Sequence, residues 1–198
     1  MQSIFRESIF KMKEIFFVTT NKHKVSEVKA ILKPFNIKVT QIDMEYEENH
    51  DVSIEKIAKE ASKKLADKLQ KPVVVEDSGF FFEAYNNFPG ALPRFVFNGI
   101  GYKGIMKLLK DEKRDTYAKA VVSYCQPGQN PIIFEGVMQG KIAQEVFDED
   151  KDIMPYERIF IPEGYIVTMS KLTREEKNSI SHRGKAFRKL AEYLTRKK

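Results

Sequence analysis

Apolar residues recur along this chain with two different periods. Ile15-Phe16-Phe17-Val18 and Val73-Val74-Val75 are short unbroken runs bounded by polar residues, the pattern of strands buried on both faces. Val25, Val28, Ile31 and Leu32 repeat instead at helical spacing, and Ala186, Leu190 and Leu194 form a stripe at i, i+4, i+8. The pattern predicts strands near 14–19, 36–42, 72–76, 116–125, 131–138, 140–147 and 157–161. It predicts helices near 22–33, 52–69, 101–110, 173–179 and 182–196. Helices flanking the early strands imply parallel pairing there. The three closely spaced strands from 116 to 147 imply an antiparallel meander turning at Pro127-Gly128 and Gln139-Gly140. The class is α/β, and no Pro/Gly/Ser-rich linker or internal repeat divides the 198 residues into more than one core.

Chemistry-bearing residues gather at the ends of these elements. Thr19, Asn21 and Lys24 follow the first strand and open the first helix, where unpaired amides and the helix dipole favour an anion. Asn21 can cap that helix, and Lys24 falls in its first turn, where a cation opposes the dipole and is best understood with a phosphate partner. The run at 72–75 ends in Glu76-Asp77-Ser78-Gly79, which reads as a strand delivering carboxylates to a cleft, with Gly79 allowing a tight turn. Neighbours on a strand point oppositely, so Glu76 and Asp77 should not act as a symmetric pair. Thr173 and Glu176 have capping-box spacing, so a short helix should begin there and project Lys177. Ser181 then starts the last helix with His182 and Arg183 beside it, offering an acceptor, a tunable ring and a planar donor.

Charge and composition narrow the classes. The net charge of +6 fits a nucleotide-handling cleft with a solvated basic helix, and no zinc pattern, stacking-aromatic RNA motif or tryptophan argues for nucleic acid. The single cysteine, Cys125, lies in an apolar strand and forms no intrachain disulfide. No apolar run approaches the roughly 18 residues that span a bilayer. The opening segment, residues 1–11, is interrupted by charges and lacks a small-residue cleavage site; it reads as an extension ahead of a single domain at 12–198.

Together the segments T-x-N-x-x-K (19–24), EDSG (76–79), FPG (88–90), F-x-G-x-x-x-G-x-I (134–142) and SHR (181–183) resemble the inosine triphosphate pyrophosphatase family, in that family's order over nearly the whole chain. The resemblance implies a long, twisted mixed β-sheet with flanking helices and two lobes around a central active-site cleft. It implies hydrolysis of aberrant purine nucleoside triphosphates to monophosphate and pyrophosphate in the cytoplasm by a homodimer using Mg²⁺. Lys24 would then contact the triphosphate with Thr19, Asn21 and Ser78 in support. A second lysine would come from the helix after strand two, Lys56 being the first choice and Lys59 and Lys63 near alternatives. Glu45 would hold the metal, with Glu47 and Glu48 as competitors, and Glu76 would assist. Asp77 would position or deprotonate the water and touch the metal. Base recognition would fall to Lys177, Ser181, His182 and Arg183 with Tyr156 and Glu157. The 153–158 segment departs from the family pattern, with Pro155 where a small residue is usual, Glu157 in place of the acid and Arg158 after it, so base preference is the property it puts in question.

Overall fold

The computed structural model describes residues 13–46, 53–86 and 88–196. The proposed extension 1–11 and the candidates Glu47 and Glu48 lie outside the described residues. Among the described residues, seven strands form one mixed sheet: β1 (Lys13–Val18), β2 (Ile37–Ile42), β3 (Val73–Phe82), β4 (Phe88–Gly90), β5 (Asp115–Cys125), β6 (Ile132–Ile142) and β7 (Phe160–Pro162). Five α-helices accompany them among the described residues: α1 (Lys22–Leu32), α2 (Ile54–Leu69), α3 (Pro93–Leu108), α4 (Arg174–Ile180) and α5 (His182–Thr195). The strand order is β2-β1-β3-β5-β6-β7, with β4 pairing on β3. β1 pairs in parallel with β2 and β3, as the intervening helices predict, and every later pairing is antiparallel.

Each period in the sequence finds its surface. Ile15 and Phe17 pack with Val25, Val28, Leu32, Phe187 and Leu190, so α1 and α5 cover one face of the sheet. Ala61, Leu65 and Ala66 of α2 cover the opposite face through Val73, Val75 and Cys125. A further apolar cluster, with Phe82, Ile105, Leu109, Met138, Ile159 and Phe160, forms where α3 meets the far ends of β3, β5 and β6. The cleft described below opens between that cluster and the β1–α1 region.

Several local expectations were overturned. The EDSG segment does not turn: β3 runs through it to Phe82, in register with β5 along its whole length. Gly79 is required for close approach, since a β-carbon there would collide with the Gly90 carbonyl oxygen of β4 and with the Phe81 ring. Likewise Gln139-Gly140 is not a turn. β6 continues through it, Gly140 pairing with Thr116 on one side and Pro162 on the other, so the expected three-strand meander is two long strands. Residues 143–147 lie outside strands, and the strand expected at 157–161 is a 3-10 turn at Pro155–Arg158 followed by β7. The helix expected from 101 begins at Pro93 and is kinked at Gly101, whose backbone is left-handed (φ 58°).

Candidate active site

Three segments converge on one cavity of about 830 Å³, within the size range of small-molecule sites. The first is the β1–α1 junction. Thr19 Oγ1 accepts the Asn21 N–H (3.2 Å), and Asn21 Oδ1 accepts the N–H groups of His23 (3.0 Å) and Lys24 (3.2 Å), so the T-x-N-x-x-K residues shape the helix start as capping chemistry predicts. The second is mid-β3, which presents Glu76, Asp77 and Ser78; Asp77 Oδ1 accepts the Ser78 N–H at 2.9 Å. The third is the α4–α5 junction. Ser181 Oγ accepts the Gly184 N–H at 2.9 Å and caps α5, setting His182 and Arg183 at the cavity. This junction can sit on the sheet because Gly136 has no side chain: a β-carbon there would strike the His182 carbonyl oxygen.

A buried ion network ties the three together. Lys24 Nζ lies 2.9 Å from Glu76 Oε2 and donates to the Glu76 carbonyl at 3.3 Å. Arg183 bridges two carboxylates, Nη1 to Glu27 Oε2 at 2.6 Å and Nη2 to Glu76 Oε1 at 3.3 Å. Burial alone would keep Glu76 protonated, but the facing Arg183 and Lys24 outweigh it and hold its carboxyl well below the usual carboxylate range. Lys24 therefore has an intramolecular counter-ion where the sequence reading looked to a phosphate. An ammonium has three donors, two of them directed at Glu76. Arg183, expected to read the base, has both terminal nitrogens on carboxylates. Glu27 was missed by the sequence reading, yet it stands one helical turn after Lys24 on the same face of α1, a spacing that pairs side chains.

At the other end of the cavity Tyr156 is buried, stacked on Phe80 (centroids 4.4 Å apart, planes 24°), and its hydroxyl donates to the Pro93 carbonyl at 3.2 Å. Packing engages the ring that was expected to stack on a purine. Glu157 accepts from Lys177 Nζ at 2.7 Å; burial pushes its carboxyl up, with Lys177 opposing. His182 is half-buried, and desolvation of its ring followed by the adjacent Arg183 drives its pKa down to about 3, so the ring is neutral at physiological pH. Its Nδ1 has no hydrogen-bond partner among the described residues. Phe80, Arg94, Phe97, Asn98, Arg174 and Asn178 also line the cavity and were not foreseen.

Lys56 is not brought in. α2 turns Ile54, Ile57, Ala58, Ala61 and Leu65 toward the sheet, which leaves Lys56 exposed beside Glu60 (3.9 Å). Lys59 and Lys63 share that outward side, Lys63 reaching the Gln129 carbonyl, and none of the three lines the cavity. Glu45 does line it, together with Glu76 and Asp77. No group of three or more metal-binding side chains is clustered among the described residues. Carboxylates at the cavity wall are the donor type that magnesium takes, commonly one or two from the protein with other oxygens and water completing its shell.

The sequence model of the Ham1 family matches residues 15–193. The chain belongs to the Ham1 family. A dITP/XTP pyrophosphatase from Methanopyrus kandleri is 43% identical over 181 residues, 91% of this chain and 95% of that protein. One from Methanosarcina mazei is 42% identical, covering 92% of this chain and 98% of its own. Among solved structures, a HAM1 protein from Coxiella burnetii superposes with a TM-score of 0.77 at 25% identity, covering 94% of this chain and all (100%) of that one. The Staphylococcus aureus Ham1 protein does so with a TM-score of 0.74 at 28% identity, covering 92% and 98% of the two chains. Like these relatives, this Ham1 chain is a mixed α/β protein, and among its described residues no helix is long and apolar enough to cross a membrane.

Proposed function

We propose that the protein hydrolyses non-canonical purine nucleoside triphosphates, those of inosine and xanthosine and their deoxy forms, to the monophosphate and pyrophosphate. The observation that carries this reading is the meeting of Lys24, Asp77 and the α4–α5 junction at one cavity, in a chain whose close relatives are named dITP/XTP pyrophosphatases. Binding alone would not call for an acid beside phosphate.

The reaction breaks the link between the α and β phosphates: a water oxygen joins phosphorus, pyrophosphate leaves, and the water's proton must be accepted. Catalysis of this kind is mainly positioning and charge neutralisation. Lys24 has one donor beyond the two directed at Glu76 and offers it to a phosphate oxygen, with Thr19, Asn21 and Ser78 near the same end of the cavity. Asp77 orients the water and takes up its proton. Glu76 keeps Lys24 and Arg183 charged and placed. Glu45 and Asp77 would hold Mg²⁺, whose chemistry there is neutralisation of phosphate charge. Lys177 and the neutral His182 face the base end and suit the 6-carbonyl of hypoxanthine or xanthine as donors. No step is assigned to Lys56. The reading includes a cytoplasmic homodimer, which sedimentation at micromolar concentration tests.

A panel of nucleoside triphosphates assayed for pyrophosphate with Mg²⁺ is the deciding experiment. Release from ITP and XTP well above that from ATP is expected. Release of orthophosphate, or no turnover on any purine triphosphate, would refute the reading.

A further inference from the structure

The loop from Asp148 to Ile153 is gathered around a single side chain. Arg158 Nε donates to the Asp148 carbonyl at 3.0 Å, and Nη1 donates to the Ile153 carbonyl at 3.4 Å. Nη2 donates to the carbonyls of Glu149 (3.4 Å) and Lys151. Four carbonyl dipoles pointing at one place repel each other unless a cation sits there, and a guanidinium matches them with its fixed fork of donors. Nη1 also donates to the Tyr102 hydroxyl (3.1 Å), which in turn donates to the Pro155 carbonyl at 2.9 Å. Tyr102 follows the Gly101 kink of α3 and packs edge-on against Phe97, with centroids 4.8 Å apart. The outer end of the loop is fastened separately. Asp148, whose backbone is left-handed (φ 52°), accepts from Ser170 Oγ and Lys171 Nζ, both at 2.7 Å.

The loop leads directly into Ile153, Met154 and Pro155, which line the cavity, whereas neither Arg158 nor Tyr102 does. We propose that Arg158, acting through Tyr102 and the 148–153 carbonyls, is a positioning residue that sets the Ile153–Pro155 wall and thereby the discrimination of the base site at position 2. This deepens the proposed function and rests on it. Hypoxanthine, xanthine and guanine share the 6-carbonyl and differ at position 2, where xanthine carries an oxygen and guanine an amino group of similar size; hydrogen bonding to the 6-carbonyl cannot sense that difference, but a wall that holds its backbone polar groups in a fixed orientation can. The wall keeps its place only while the loop behind it is held.

The test uses the full-length chain as wild type, Arg158→Gln and Tyr102→Phe. It measures kcat and KM for ITP and GTP, and amide hydrogen exchange over residues 148–155. Arg158→Gln is expected to raise the GTP-to-ITP ratio of kcat/KM by about tenfold. KM for ITP should rise while kcat changes less than about twofold, because the interaction lost is uniform binding rather than transition-state stabilisation. Exchange over 148–155 should accelerate. Tyr102→Phe keeps the ring against Phe97 and removes only the hydroxyl, so it should shift the ratio in the same direction by less and decides the matter if Arg158→Gln does not fold. Equal losses on ITP and GTP in the folded variants, or unchanged exchange over 148–155, would overturn the proposal. Failure of the wild-type protein to release pyrophosphate from any purine triphosphate would instead overturn the function, leaving the clamp to be judged by exchange alone.

Discussion

Lys24 Nζ and Glu76 Oε2 meet at 2.9 Å, joining the first turn of α1 to the middle of β3, with the Glu76 side chain wholly inaccessible to solvent. Arg183 approaches the other oxygen of the same carboxylate. One anion thus separates two cations from different elements, and Glu27 offsets the second. Removing the anion leaves Lys24 without its counter-ion and Arg183 with Glu27 alone; breaking a buried pair in this way costs up to about 3–5 kcal/mol. Glu76→Ala should lower the urea midpoint by a corresponding amount, far more than an exposed Glu60→Ala. A loss below about 1 kcal/mol would mean the network is solvated in solution.

Asp77 stands next to Glu76 on β3 and lines the same cavity. Its carboxylate accepts the Ser78 N–H, an interaction the amide of Asn can also make. Asp77→Asn should therefore keep the fold while lowering kcat on ITP by roughly 10²-fold or more, the scale of a positioned base. Steady-state pyrophosphate release, alongside a melting curve, checks both halves. Near-normal turnover would remove Asp77 from the chemistry.

The positions of β1, β2, β3 and β5, the parallel-to-antiparallel change and the cavity-facing termini of α1 and α5 were legible because local signals and tertiary demand agree there: apolar runs at strand spacing, an Asn cap, a Ser cap. Gly79 and Gly140 misled because glycine marks both turns and close backbone approach, and only the partner strands decide which; β4 and β7 are three residues each and carry almost no period of their own. The helix at Pro93 was hidden because its face is not amphipathic, Phe95 being 74% exposed. At the site, residue types were readable but commitments were not. Whether Arg183 meets a base or a carboxylate depends on Glu27 and Glu76, which are far from it in sequence, and Lys56 carries no local sign of which side of α2 faces the cleft.

Acid should expose His182. Its unfolded pKa is 6.5 and its folded pKa about 3, because burial first and Arg183 second disfavour the imidazolium. Below pH 6.5 the unfolded chain binds a proton that the folded chain refuses, so stability falls as pH drops toward 3, by at most about 1.4 kcal/mol per pH unit for one group. Glu76 adds its own loss only below its unfolded value of 4.5, down to about 2. Urea midpoints at pH 5, 6 and 7 lie above the Glu76 window, and comparison with a variant separates the histidine from Glu157, whose raised carboxyl acts in the opposite direction. His182→Gln should flatten the wild-type decline between pH 6.5 and 5, and an unchanged slope would assign it to other groups.

Chelation tests the metal. EDTA should abolish pyrophosphate release and Mg²⁺ should restore it, because Lys24 alone does not neutralise a triphosphate. Glu45→Gln should raise the Mg²⁺ concentration for half-maximal rate by about tenfold, the lower end of losses seen when a metal's surroundings are altered. Full activity in EDTA would show that the cations of the site suffice, and an unchanged Mg²⁺ requirement in Glu45→Gln would move the metal to other oxygens.

The guanidinium of Arg183 decides between two accounts of selectivity. Nη1 and Nη2 reach Glu27 and Glu76, and Nε is buried with no partner among the described residues. A donor committed to two carboxylates contributes the same to every nucleotide that enters, whatever its 6-substituent. Arg183→Lys keeps the charge but cannot span both carboxylates from one ammonium. It should lower kcat/KM for ITP and ATP by the same factor, whereas Lys177→Ala should penalise ITP more than ATP, because a carbonyl acceptor loses its donor and an amino group does not. Initial rates on the two substrates at matched Mg²⁺ measure both ratios. A selective loss on ITP in Arg183→Lys would show that the guanidinium leaves a carboxylate and reads the base once substrate is bound.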